Sequence, residues 1–283
     1  MINRSLKLTN VKKVEEGIFI KKLIQLTWWK SLSNFLKIKR FKNEIRIAKY
    51  LSEQPLKFFV VPFIYKTDNS SFLQMKKITG QYLKNTIEIV PIKNIALGLL
   101  EFNHYNYSSI FSNYTKYFQS FFYSPLLSCA RSVIFSSFIK KNIKIYYLFN
   151  LLKISMRNIK QNRSVLVHAD LINIQNSFYC SNNLLGLIDF GQARFTNKWI
   201  LLDICDLAVD YDLNVNKELF NIYIKKLKKK KFTNLIINDQ IWLSMLRRTI
   251  NYGNQFDINL HKEFLNNVLL SKKNFLEWVS KKF

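Results

Sequence analysis

Hydrophobic and polar positions change their period along the chain. Over the first 79 residues, short apolar runs alternate with charged stretches: SLKLT (5–9), GIFIKKL (17–23), KFFVVPFIYK (57–66) and SFLQMKKIT (71–79). Runs of β-branched and aromatic residues bounded by turn formers predict strands. The first two, separated by the charged NVKKVEEG, predict a hairpin, and TDNSS (67–71) predicts a turn before the last. Between the two pairs, Phe41, Ile45, Ala48 and Leu51 recur at helical spacing in SLSNFLKIKRFKNEIRIAKYLSEQP, a helix that must end before Pro55. From Gly80 onward, long helical patterns take over, at 86–105 and 112–161. Strand-like islands interrupt them at SVLVHAD (164–170), SFYC (177–180) and LLGLIDF (184–190), and the chain reads as helical again from ILLDICDLAVDY onward. The expected organisation is α+β, with a small sheet-bearing lobe over 1–79 and a larger helical lobe over 80–283.

Composition narrows this picture only in part. The chain has 283 residues, nearly half of them hydrophobic, and can bury a sizeable core. Its formal net charge of +26 points to polyanionic partners. Lys, Asn, Ile, Phe and Tyr abound throughout, however, as AT-rich coding would produce, so the charge singles out no partner. The run KKLKKKKF (225–232) reads as a solvated helix end. Three widely spaced cysteines without a CxxC pattern argue against a disulfide framework or a zinc site and for a reducing compartment. The mixed, charged start MINRSLKLTNVKK lacks the apolar core of a secretory signal, and no run reaches the ~20 apolar residues of a membrane span. A cytoplasmic protein without a transmembrane segment is expected.

The chemistry is concentrated in two islands. VLVHADLINIQNSF (165–178) packs a His, an Asp and an Asn between apolar runs, and LLGLIDFGQARF (184–195) adds a second Asp. Burying a carboxylate without a partner is expensive, so packing does not explain them. Phosphoryl transfer from a nucleotide requires a carboxylate near the acceptor hydroxyl, oxygen ligands for Mg²⁺ and a cation on the phosphates. Asp170 suits the first task, and Asp189 with Asn176 suits the second.

HADLINIQN followed by LIDFG resembles the H-x-D-x-x-x-x-N and D-F-G pair of the protein-kinase-like superfamily. The helical stretch before it, and LIDFGQARFTNKWILLDICDLA, are similar to the branch of aminoglycoside phosphotransferases, choline kinases and homoserine kinases. The resemblance spans residues 17 to about 210 and is strongest over 165–210. It implies a bilobal fold with an antiparallel-sheet N-lobe carrying one helix, and a larger, mainly helical C-lobe. It also implies ATP and Mg²⁺ as cofactors. Carried over residue by residue, Asp170 is the catalytic base, His168 orients its loop, and Asp189, followed by Gly191, is the principal metal ligand. Asp206 resembles the helix-borne Asp that hydrogen-bonds the catalytic loop, with Asp203 as the competing candidate. Lys21 in IFIKK resembles the strand lysine that contacts the α- and β-phosphates, and Glu44 the helix glutamate that pairs with it. FLQMKKITG looks like the linker that meets the adenine.

Two departures stand out. The family's Asn follows the catalytic Asp by five positions, but position 175 is Gln and Asn176 is sixth. Asn176, then Gln175, then Asn173 are the candidate ligands. No G-x-G-x-x-G precedes GIFIKK, only Gly17. The expected activity is transfer of the γ-phosphoryl of ATP to a hydroxyl of a small molecule of amino-alcohol, aminoglycoside or sugar type. A lipopolysaccharide-sugar kinase is the alternative, since WWKSLSNFLKIKRFKNEIR resembles that group and a basic surface suits an anionic leaflet. A second class is a dead kinase-like scaffold that binds a polyanion through its basic surface; nucleic acid is not the expected partner. A protein kinase is disfavoured, because the segment from DFG to DICDLA is too short for an activation segment.

Overall fold

The computed structural model describes residues 9–15, 17–23, 31–68, 72–83, 92–107, 125–136, 139–157, 165–171, 174–180, 182–196, 199–208, 213–227, 234–252, 268–269 and 271–282. The chain divides into two compact units. One comprises Met1–Val90 and Asn173–Ala193, the other Pro91–Ile172 and Arg194–Phe283.

The first unit opens with a hairpin of β1 (Thr9–Glu15) and β2 (Ile18–Leu23). The stretch expected to be a charged connection, NVKKVEEG, is itself mostly strand β1. Val11 and Val14 favour an extended backbone, and the chain reverses at Gly17, whose φ of 78° is a conformation that β-branched and bulky residues avoid. Residues 5–8 of the strand expected at SLKLT lie outside the described residues.

Helix α1 (Ser31–Ser52) follows and ends as expected before Pro55, with Glu53 N–H donating to Tyr50 O and Gln54 N–H to Leu51 O. KFFVVPFIYK splits at Pro62 into β3 (Phe59–Val60) and β4 (Ile64–Thr67). β5 (Phe72–Lys76) completes an antiparallel sheet of order β1-β2-β5-β4. Phe41 and Ile45 of α1 pack on Leu73 of β5, with Ile64 and Met75 closing the cluster. Each such side chain contributes about 1.5–3 kcal/mol by leaving water.

A second sheet in this unit runs β3, β9 (Leu185–Leu187), β8 (Ser177–Cys180), β6 (Gly80–Tyr82). β3 and β9 pair in parallel, Phe59 with Leu185, and β6 pairs antiparallel with β8, Gly80 with Cys180. These ladders join residues 173–193 to the first unit, although the sequence places them amid the helical lobe. Gly80 is required there, because a Cβ would stand 2.5 Å from the carbonyl oxygen of Tyr179.

The second unit contains helices α2 (Ile92–His104), α3 (Pro125–Phe135), α4 (Lys141–Arg157), α5 (Leu202–Ala208), α6 (Leu213–Leu227), α7 (Asn234–Tyr252) and α8 (Lys272–Lys282). A two-stranded ribbon pairs β7 (Val165–Val167) with β10 (Arg194–Thr196). β7 is wholly buried and leads directly into His168. Ile95, Leu99, Phe102 and Asn103 of α2 form its buried face, so one polar side chain stands in an otherwise apolar stripe. Among the described residues, no helix is long and apolar enough to cross a membrane.

Candidate functional site

In the first unit, three charged side chains meet. Strand alternation turns Lys21 inward while Lys22 is exposed, and Glu44 belongs to the buried stripe of α1 formed by Phe41, Ile45 and Ala48. Lys21 Nζ donates to both carboxylate oxygens of Glu44, at 2.7 and 2.8 Å, and to Oδ1 of Asp189 at 3.1 Å. Burial alone depresses the Lys21 ammonium, but the charges of Glu44 and then Asp189 overcome it and hold the group above its usual value. Burial pushes Glu44 up to about 7 against the pull of Lys21, and the charge of Asp189 adds to the push. The two short bonds to the ammonium are those of an ionised Glu44.

Asp189 is built for exposure of its carboxylate. It sits in the left-handed region at φ 62°, ψ 62°, at the head of the helical turn Phe190–Gln192. Phe190 is buried, whereas the Asp189 side chain is half-exposed. Asn43 of α1 clamps the turn from the other side, its Nδ2 donating to Phe190 O at 3.3 Å and Ala193 O at 2.7 Å. At Gly191 a Cβ would lie 3.5 Å from Asp189 Oδ1, an ordinary contact, so space alone does not demand glycine there.

The second metal candidate lies on the helical turn Ile174–Asn176. Asn176 is buried and Gln175 is exposed. The backbone carbonyl of Asn176 accepts the N–H of Ile188, which fixes it to the strand end just before Asp189. Asn173, the third candidate, lies outside the described residues. Mg²⁺ binds through one or two carboxylates with phosphates and waters completing its shell. A half-exposed Asp189 and the amide oxygen of Asn176 fit that demand. Among the described residues, no group of three His, Cys, Asp or Glu is arranged for a metal such as zinc, and all three cysteines are free and buried. Burial raises Cys180 to about 11 and Cys129 to about 12, so neither is a nucleophile at neutral pH.

In the second unit, the segment His168–Ala169–Asp170 is held by its backbone. Asp203 Oδ2 accepts His168 N–H at 2.7 Å and Oδ1 accepts Ala169 N–H at 3.0 Å. This corrects the expectation for Asp206: the direct brace is Asp203, its rival one helical turn earlier. Asp206 instead binds Arg247 of α7, at 3.0 Å, and Arg247 Nη2 donates to Ala169 O at 2.7 Å. Among the described residues, Asp206 thus reaches the loop through a guanidinium. Both carboxyls are raised by burial, Asp203 against its amide hydrogen bonds and Asp206 against Arg247.

Behind Asp203 stands a relay. Asn103 Nδ2 donates to Asp203 Oδ2 and to Leu166 O, both at 2.8 Å, and its Oδ1 accepts the hydroxyl of Tyr223 at 2.7 Å. Ala169 adopts φ 62°, a strained conformation for alanine that the clamps on its N–H and C=O maintain. His168 is fully buried with its ring against Phe102. Asp170, next in the chain, is buried to 8 % exposure.

Sequence reasoning missed Asn43, Asn103, Tyr223 and Arg247. For Asn103 a signal existed, a polar residue within the apolar stripe of α2. For the others the partner is far away in the chain and no local pattern marks them.

No family model matches the chain, and no curated protein matches it in sequence. Solved structures do match. The GDP complex of wild-type aminoglycoside 2'-phosphotransferase-IIIa aligns over 96% of this chain and 90% of its own, with a TM-score of 0.58 at 14% identity. The ternary complex of streptomycin and ATP with APH(2")-IIa aligns over 98% of this chain and 88% of its own, with a TM-score of 0.56 at 14% identity. Choline kinase LicA from Streptococcus pneumoniae aligns over 98% of this chain and 92% of its own, with a TM-score of 0.59 at 13% identity. The chain has the fold that these phosphotransferases share, as the resemblance at residues 165–210 implied.

Proposed function

We propose that this protein is an ATP-dependent phosphotransferase acting on a hydroxyl group of a small molecule. The observation that carries the reading is Lys21, a buried ammonium held by both oxygens of Glu44 and shared with the half-exposed Asp189. Packing gains nothing from three buried or half-buried charges, since replacing such groups with apolar residues is often neutral or stabilising. A nucleotide enzyme gains a fixed cation for phosphate oxygens beside a fixed carboxylate for metal. The aminoglycoside and choline enzymes of the same fold, one seen with streptomycin and ATP, support the class of substrate.

In this reading Lys21 carries the α- and β-phosphates, and Asp189 with Asn176 holds Mg²⁺. When bound, the ion neutralises charge on the phosphate oxygens. Asp170 accepts the proton of the acceptor hydroxyl as its oxygen bonds to the γ-phosphorus and the bond to the leaving ADP oxygen breaks. Asp203 and Arg247 fix the backbone that presents Asp170, so catalysis is mostly positioning. Calorimetry of Mg·ATP with the wild-type chain and Asp189→Ala, followed by ATP turnover against amino alcohols, sugars and aminoglycosides, tests it. Saturable Mg·ATP binding that Asp189→Ala abolishes is the expected result; a wild-type chain that ignores Mg·ATP overturns it.

A further inference from the structure

Helix α4 carries apolar side chains on two opposite faces. Tyr147, Leu151 and Ile154 are buried in the second unit. On the other side Ile145, Phe149, Leu152 and Met156 recur at helical spacing and are 52, 61, 56 and 70% exposed. That stripe is roughly 16 Å long at the rise of an α-helix. Lys144 Nζ donates to Ile134 O at 2.8 Å and ties the end of α3 to the first turn of α4. It thereby adds Ile134 and Phe135, the latter 78% exposed. Soluble surfaces seldom leave so continuous an apolar face uncovered.

The charge around this face has one sign. Between Glu101 and Asp170 the sequence contains no Asp or Glu and nine Lys or Arg. Arg131, Lys140, Lys141 and Lys153 are exposed on or between the two helices. Arg157 ends α4 bound to Asp239 through two hydrogen bonds. We propose that α3 and α4 dock this protein on an anionic lipid bilayer, the apolar stripe entering the headgroup boundary and the lysines facing acidic headgroups. A convex helix face with bulky Phe, Leu and Met side chains and a cationic flank has the form of an interfacial helix. A second copy of this chain fits poorly, because a two-fold contact sets the same cations against each other.

The inference does not rest on the phosphotransfer reading, and none of these residues belongs to the nucleotide or catalytic machinery. The test is co-sedimentation of the full chain with vesicles of phosphatidylcholine alone and of phosphatidylcholine with phosphatidylglycerol in equal parts. Binding to the anionic vesicles only, weakened by salt, is expected. Phe149→Asp with Met156→Asp should lower the apparent affinity at least about a hundredfold. Lys141→Glu with Lys153→Glu should lower it roughly tenfold or more. All four positions are exposed, and an unchanged melting temperature and an unchanged far-ultraviolet circular dichroism spectrum show that the fold survives. Failure of the wild type to bind anionic vesicles, or equal binding by the variants, overturns the proposal. So does a wild-type dimer in sedimentation velocity that Phe149→Asp with Met156→Asp makes monomeric.

Discussion

Asp203 accepts the backbone N–H of His168 at 2.7 Å, and its other oxygen takes the N–H of Ala169. One buried carboxylate therefore fixes two consecutive peptide units immediately before Asp170. With Asn103 on the first oxygen as well, each of its two oxygens faces at least one donor. In Asp203→Asn one oxygen becomes an NH₂ group and meets N–H donors whichever way the amide turns. The variant should lose on the order of 2–4 kcal/mol of stability, measured by urea unfolding. Asp206→Asn, which still offers an oxygen to Arg247, should lose less. Equal losses at the two positions would remove the distinction drawn between them.

Lys21 and Glu44 give the clearest dependence on pH. Glu44 titrates near 7 in the folded chain against an ordinary value of 4.5, because burial favours its neutral form. Between those values the folded chain holds a proton that the unfolded chain has lost. Stability from this group is greatest at low pH and falls as pH rises through the window. Relative to Glu44→Gln, the wild type should lose roughly 2–3 kcal/mol between pH 4.5 and 7. Lys21 has the opposite place on the scale: its raised value keeps its contribution intact up to the ordinary lysine range and removes it only above. Parallel unfolding curves for wild type and Glu44→Gln across that window would count against a buried, titrating Glu44.

The proposed metal ligand separates binding from folding. Asp189 is half-exposed, and Lys21 keeps both of its bonds to Glu44 without it. Asp189→Ala should therefore cost little stability, within about 1 kcal/mol, while abolishing Mg·ATP-dependent turnover. Thermal melts and a coupled ADP assay on the same sample check both halves. Asp170→Ala should lower turnover by about two to four orders of magnitude with nucleotide affinity nearly unchanged.

Much of this was legible in the residues, for identifiable reasons. Strand alternation puts Lys21 and Lys22 on opposite faces, and the order of the family's motif then favours Lys21 and points to Glu44; the structure buries both, Glu44 on the stripe of Phe41, Ile45 and Ala48. The Asp203 and Asp206 alternative was not decidable locally. Both lie on α5 one turn apart, and the assignment depends on Arg247 of α7, which neutralises one and leaves the other for the loop amides. The strand at 9–15 escaped notice because its lysines and glutamate hide the period of two. The mixed sheet escaped because β3 finds its parallel partner β9 more than a hundred residues away. Long-range pairing of short strands leaves no periodic trace.

The remaining question of register is answered by one pair of variants. The helical turn at 174–176 buries Asn176 and exposes Gln175, and the Asn176 carbonyl is tied to Ile188, next to Asp189. Its backbone anchor beside Asp189 and its burial favour Asn176 over the exposed Gln175 as the proposed ligand. Asn176→Ala should raise the Mg²⁺ concentration for half-maximal turnover by about tenfold or more, the scale of losing one oxygen ligand held by the fold. Gln175→Ala, on an exposed side chain, should change it less than about twofold. A Mg²⁺ titration of ATP turnover on the two variants reads this directly. Should Gln175→Ala carry the larger effect, the loop would present its exposed amide to the metal, and Asn176 would be a packing residue beneath it.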